Sequence, residues 1–260
     1  MRKVVLPKTL MPRACTLVRV GSKFDGGYLL PPAMIDNCEE VLSLGANYDI
    51  SFEQQLLAEK KLKVVIVDAS VMPIKLLKSA LKSLLLGRFK DTIRYTFSIF
   101  DQWALRIRHN QVEFRYDFVG SLEEQISLSD VINSDLVSDK ILISCDIEGD
   151  EYRILSDILA VQSRLCGLVI EFHDCDIHQD KIENFINNFE LDICHVHVNN
   201  CGPVSKSAFP TGLEVIFSRY WDGTKESLRF PNLMDAPCNP NHEDIGIMFE
   251  TDCDTVSKSY

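Results

Sequence analysis

The chain has 260 residues, 46% of them apolar and 25% charged, and carries a net charge of −11. That size and balance suit one globular α/β domain, and the acidity weighs against nonspecific adhesion to nucleic acid or anionic lipid, either of which would need a local basic patch. Nine cysteines, an odd number with no C-x-x-C pair, argue against a disulfide framework or a structural zinc site and for reduced thiols in a cytosol.

Residues 1–38 read as a lead-in. The basic start MRKVVLPKTLMPRA has its apolar run broken by Pro7 and Lys8 and makes a poor signal peptide, and no window reaches the ~20 apolar residues of a membrane span. In RVGSKFDGGYLLPP (19–32), Gly26-Gly27 beside Asp25 signals a turn. This piece is either a hairpin ahead of the core or a segment that places the Tyr28 ring over an adenine or a substrate. EEVLSLGAN (39–47) is a strand ended by a small-residue turn, and SFEQQLLAEKK (51–61) is a helix with Ser51 and Gln54 set as a capping box. LKVVIVDAS (62–70) is a β-branched strand ending at Asp68. PIKLLKSALKSLLL (73–86) has helical spacing, with Pro73 in its first turn and Lys75, Lys78 and Lys82 beside the apolar positions. Residues 87–138 hold two candidate strands, IRYTFSIF and VEFRYDF.

Further along, DKILISCDIEGDEY (139–152) ends its strand at Asp146, and CGLVIEFHDCD (166–176) ends in Glu171, His173 and Asp174. Helices over 151–160 and 180–189 separate these from DICHVHVNN (192–200) and GLEVIFSRY (212–220). The alternation predicts a doubly wound, mostly parallel sheet over a core of residues 39–220. Residues 221–260 form an extension with a frayed polar tail, TDCDTVSKSY.

Ligands of such sheets bind beyond the carboxyl ends of the strands. That edge collects Gly45, Asn47, Asp68, Asp146, Glu171, His173, His197 and Asn199. The LGAN turn admits a ligand to the backbone and to free N–H groups of the next helix. Asp68, ~20 residues on, is placed to accept both hydroxyls of a ribose, although it would also serve as a helix N-cap. Without the G-x-G-x-x-G of a pyrophosphate site, S-adenosylmethionine fits better than NAD. The four carboxylates of DIEGDEY raise one another's pKa unless a metal or a sulfonium sits nearby. Asp150 and Glu151 read as first-turn residues of a helix, and Asp146 reads as functional. Asp146, His173 and His197 could form a two-His-one-carboxylate metal set or share general-base duty. His195, deeper in its strand, reads as packing. Glu171, Asn199 and Asn200 are candidates to bond a sugar hydroxyl, the asparagines being equally suited to a turn.

The ordered set RVGSKFDGGYLLP, LSLGANYDISFE, VVIVDAS, LISCDIEGDEY, LVIEFHD, HVHVNN and TGLEVIF resembles FkbM-like class I methyltransferases over residues 19–220. The resemblance implies a Rossmann-like seven-stranded sheet flanked by helices, S-adenosylmethionine as methyl donor, and O-methylation of a sugar or another small hydroxylated metabolite. By position, Gly45, Ala46 and Asn47 would line the methionine part of the donor. Asp68, with Ala69 beside it, would hold the ribose, and Asp146 would lie near the sulfonium. Arg19, Asp25 and Tyr28 would close the pocket. Tyr152 stands where a Trp is frequent, and Tyr48-Asp49 replaces a frequent glycine. The expected partner is a sugar or sugar conjugate in the cytoplasm, with no nucleic acid and no membrane span. Residues 71–115 and 221–245 read as insertions that set the acceptor. The competing expectations are a metal-dependent hydrolase or isomerase using the same rim without a donor, and a noncatalytic binding module.

Overall fold

The computed structural model describes residues 2–204, 209–223 and 228–250. The polar tail over 251–260 lies outside the described residues. The strands are β1 (Lys3–Leu6), β2 (Val18–Gly21), β3 (Gly27–Leu30), β4 (Glu40–Leu44), β5 (Lys63–Val67), β6 (Val112–Arg115), β7 (Ile141–Cys145), β8 (Leu165–His173), β9 (Asp192–Val198), β10 (Gly212–Ser218) and β11 (Gly246–Phe249). The α-helices are α1 (Pro32–Asn37), α2 (Ser51–Glu59), α3 (Pro73–Leu85), α4 (Phe89–Arg108), α5 (Leu128–Asp135), α6 (Glu151–Val161) and α7 (Gln179–Asn188).

Seven strands form the central sheet in the order β6-β5-β4-β7-β8-β10-β9, and β10 alone runs antiparallel to its neighbours. This is the Rossmann-like, mostly parallel sheet expected from the sequence. Its middle strands are apolar on both faces because both faces are covered. On one face Val41, Val64, Ile66, Val169 and Ile216 pack against α1, α2 and the β2–β3 hairpin. On the other, Leu42, Val65, Ile143 and Ile170 pack against α5, α6 and α7.

Two local expectations differ. Residues 93–100 lie within α4, leaving Val112–Arg115 as the third strand on that side of the sheet. The Ser51–Gln54 capping box does not form. Ile50 occupies the N-cap, and the Asp49 carboxylate accepts from the Ser51 N–H at 2.8 Å.

Strand order reverses between β4 and β7, which opens a crevice between their carboxyl ends. Gly45 closes it at the base. Its φ is +77°, and a Cβ there would stand 1.7 Å from the Asp146 carbonyl oxygen. Gly149 also has a positive φ, +104°, but a Cβ there would meet nothing within 4 Å. Gly45→Ala should therefore lower the unfolding free energy by about 3 kcal/mol or more, and Gly149→Ala by about 1 kcal/mol. Urea denaturation of the two variants checks this, and equal losses would contradict it.

Candidate active site

Three cavities meet at Asn47 and Asp146, between the ends of β4 and β7. The first, of about 310 Å³, has Asp68 in its floor and Val67, Phe118, Val119 and Ile147 on its walls, with Asp117 at its edge. Asn47, in the left-handed region with φ 52°, donates its N–H to Asp68 Oδ2 at 2.9 Å, and the Ser70 N–H reaches Oδ1 at 2.7 Å. Each oxygen keeps a further lone pair for a ligand hydroxyl.

The second cavity, of about 240 Å³, is lined by Tyr28, Ser43, Glu53, Arg94, Ser144 and Asp146. The Ser43 hydroxyl donates to Glu53 Oε1, while Glu53 Oε2 is buried with no partner. Burial pushes the Glu53 carboxyl up to about 7 against the pull of Ser43. Asp146 Oδ1 is likewise buried and accepts no hydrogen bond. Burial raises its pKa to about 7, with the charge of His173 opposing and those of Glu148 and Glu151 assisting.

The third cavity, of about 530 Å³, is lined by Asp25, Glu171, His173, Asp174, Asn199 and Thr211, among others. His173, at the end of β8, is ringed by carboxylates. Its Nδ1 lies 3.1 Å from Glu151 Oε1, and its Nε2 lies 3.8 Å from Asp146, 3.6 Å from Glu148 and 3.9 Å from Glu171. Glu151 is fully buried and is fixed by the N–H groups of Ile147 and Gly149 at 3.0 and 3.1 Å. Its first-turn place on α6 was readable in the sequence, but its reach to His173 was not. Burial disfavours charge on His173, yet the Glu151 hydrogen bond and the surrounding carboxylates outweigh it and raise the pKa to about 9. His173 is therefore an imidazolium at neutral pH and, as it stands, not a base. Glu171 is pushed well up by burial and by Glu214 and Asp146, while Asn199 Nδ2 donates to it at 2.5 Å.

His197 does not join this group. Its ring is buried on β9, with Nδ1 2.9 Å from Glu214 and Nε2 3.1 Å from Asp244, so both nitrogens are engaged away from Asp146 and His173. Burial opposes its charge, but Glu214, Asp244 and Cys238 together raise its pKa well above the usual value. The expected two-His-one-carboxylate set is thus not assembled. His195 does more than pack: it holds Asp235 at 2.9 Å. Asn200 is not at the cleft either. It is buried, donates to the carbonyls of Asn239, His242 and Glu243, and accepts from the Asn239 N–H. The stretch HVHVNN is therefore largely a clamp on residues 235–244.

Other expected residues divide similarly. Gly45, Ala46, Asn47, Tyr28 and Asp25 line the second cavity, with Tyr28 buried edge-on against Phe52. Ala69 is buried behind the first cavity, where Ser70 takes the lining position. Arg19 does not close the pocket, since its guanidinium bonds the carbonyls of Ser22, Phe24 and Met234. Sequence reasoning missed Glu53, Arg94, Phe118 and Glu214. Only Glu214 carried a signal, as the lone acid of the apolar strand GLEVIF.

No protein-family model matches the chain, and no curated protein matches its sequence. Solved structures that resemble it include the methyltransferase domain of METTL16, at a TM-score of 0.41 and 11% identity over 72% of this chain and 64% of that one. The chain thus spans less than two thirds of that structure. A precorrin-6y C5,15-methyltransferase from Geobacter metallireducens matches at 0.38 and 13% over 71% and 84%. A chain of a fibrillarin/Nop5p complex matches at 0.37 and 14% over 83% and 100%. Likenesses this distant transfer no residue roles, and the site stands on its own geometry.

Because the folded pKa of His173 exceeds the ordinary 6.5, the stability its charge provides is complete below about 6.5 and is lost as pH rises through about 9. Imidazole NMR should show that alkaline titration, and Glu151→Gln should move it down towards the ordinary value. His197→Ala strands the buried Glu214 and the half-buried Asp244 and should cost about 3–5 kcal/mol in urea denaturation. Unchanged stability would contradict the clamp.

Proposed function

We propose that the protein is an S-adenosylmethionine-dependent O-methyltransferase acting on a hydroxyl of a sugar or glycan precursor. The observation that carries this reading is the pair of buried carboxylate oxygens that accept no hydrogen bond, Glu53 Oε2 and Asp146 Oδ1, on the second cavity beside an Asp68-floored apolar cavity. A ligand that fits both has cationic groups at one end and a ribose with an aromatic base at the other. S-adenosylmethionine has that shape and charge. Asp68 would accept from the ribose hydroxyls, while Phe118, Val119 and Ile147 would enclose the adenine. Asp146 and Glu53 would face the sulfonium and the ammonium, and Arg94 would meet the carboxylate. Bound there, the donor supplies an electrophilic methyl carbon.

The chain's own contribution is chiefly alignment. Asp174, Asn199 and Thr211 offer hydrogen bonds to a polyhydroxylated acceptor in the third cavity. The acidic mouth made by the exposed Asp25, Glu148 and Asp174 repels phosphates, which favours a sugar over a nucleic acid. Asp146, with an oxygen that accepts no hydrogen bond and a pKa of about 7, is suited to take the acceptor's proton. His173, already protonated, would hold the surrounding carboxylates in position.

A second reading puts a divalent ion where His173 now holds its proton. The ligand atoms of Asp146, Glu151 and His173 lie within 4.8 Å of one another, so Glu151 would replace His197 in the expected set. An ion there would lower the pKa of the acceptor hydroxyl, or would serve a hydrolase or isomerase that uses no donor.

Titration calorimetry with S-adenosylmethionine should give binding heat, and Asp68→Ala should weaken it about 10–100-fold. No heat would overturn the donor assignment. Asp146→Asn should lower kcat about 100-fold or more. Activity should survive exhaustive chelation. Loss restored by a divalent ion would select the second reading.

A further inference from the structure

The hairpin of α3 and α4 inverts the usual helix pattern. It buries Ser83, Ser98 and Gln102 alongside Leu76, Ala80 and Leu105, and presents most of its large apolar side chains to solvent. On α3 the exposed stripe is Ile74, Leu77, Leu81, Leu84 and Leu85, the last 88% exposed. On α4 it is Phe89, Ile93, Phe97, Phe100, Trp103 and Ile107. Spacings of three and four residues keep each stripe on one side of its helix. Gln102 has its place inside, donating to the Val71 carbonyl at 3.0 Å and accepting from Tyr116.

Charge is segregated with the apolar face. Residues 73–108 hold eight Lys or Arg against two Asp or Glu, so the hairpin carries +6 and the rest of the chain −17. Lys78, Lys82, Arg88 and Lys90 are exposed beside the apolar stripes. This is the local basic patch that an acidic protein needs to meet an anionic surface.

We propose that the outward face of the α3–α4 hairpin docks on an anionic lipid bilayer, lying in the interface with its leucines and aromatic rings in the acyl boundary and its lysines among the headgroups. At 13 and 20 residues the helices run about 20 and 30 Å along the surface. Among the described residues no helix is long and apolar enough to cross a membrane. Three observations select this occupant. A second copy of the chain would bring +6 against +6 across a two-fold interface. A nucleic acid would satisfy the lysines but leave the leucines and phenylalanines in water. The acidic body, repelled by an anionic surface, would turn the hairpin towards it. The docked face also borders the cleft: Arg94 lines the second cavity and the ring of Tyr95 packs on Tyr48 at 5.3 Å. The docking is independent of the methyl-transfer reading and can hold if that reading fails.

Co-sedimentation of the full chain with vesicles of equal parts phosphatidylcholine and phosphatidylglycerol tests it, against vesicles of phosphatidylcholine alone. Binding should favour the anionic vesicles and weaken with salt. Lys78→Ser with Lys82→Ser should lower the partition coefficient roughly 30-fold. Phe97→Ser with Trp103→Ser should remove binding while the circular dichroism spectrum is unchanged, because both side chains are exposed. No pelleting with anionic vesicles would overturn the proposal. So would a dimer in sedimentation velocity that Phe97→Ser with Trp103→Ser dissolves, which would give the face to a second copy. Retention of tRNA by the lysines without vesicle binding would assign it to nucleic acid.

Discussion

One backbone contact sets the geometry of the cleft: Gly45 lies against the carbonyl of Asp146. The turn leaving β4 is tied on one side to β5, by the Gly45 N–H to Val67, and on the other to β7, by the Asp146 N–H to Leu44. It brings Asp68 and Asp146 to the lining of one cavity and fixes Asn47, whose N–H holds Asp68 in turn. A side chain at Gly45 would part the two strand ends, and with them the cavities that share Asn47 and Asp146.

Two sets of buried charges follow from this frame, and they do different things. Around His173 and across the second cavity, carboxylates outnumber cations, and burial leaves Asp146 and Glu53 near a pKa of 7 with one oxygen each that accepts no hydrogen bond. Such groups would ionise readily beside a bound cation, so the cleft is electrostatically suited to a positively charged ligand. Around His197, among the described residues, no buried side-chain nitrogen or oxygen lacks a hydrogen-bond partner. The Glu214–His197–Asp244 chain and the His195–Asp235 pair join the sheet to the segment after β10. The cross-strand register places Glu214 opposite both Glu171 and His197, so it stands between the two sets.

The sheet was largely legible because its strands are apolar runs that end abruptly in polar residues, and the carboxyl-end residues Asn47, Asp68, Asp146, Glu171 and His173 were legible for the same reason. His197 was not. Its partner Asp244 lies 47 residues away in a segment whose path no periodicity encodes. Strand alternation puts His195 and His197 on one face but cannot say whether that face meets a cleft or a strap. The helix α4 misread as a strand for a related reason: IRYTFSIF is aromatic and β-branched, and its buried stripe runs through Ser98 and Gln102, so hydrophobic period pointed to the wrong face.

The most direct test of the cleft is a crystal structure of the chain grown with S-adenosylmethionine. The expected result is ligand density crossing the Gly45–Asn47 turn, with the ribose hydroxyls on Asp68 and the sulfonium beside Asp146. Ligand bound elsewhere on the molecule, or a cleft that takes up no nucleoside at saturating concentration, would contradict it.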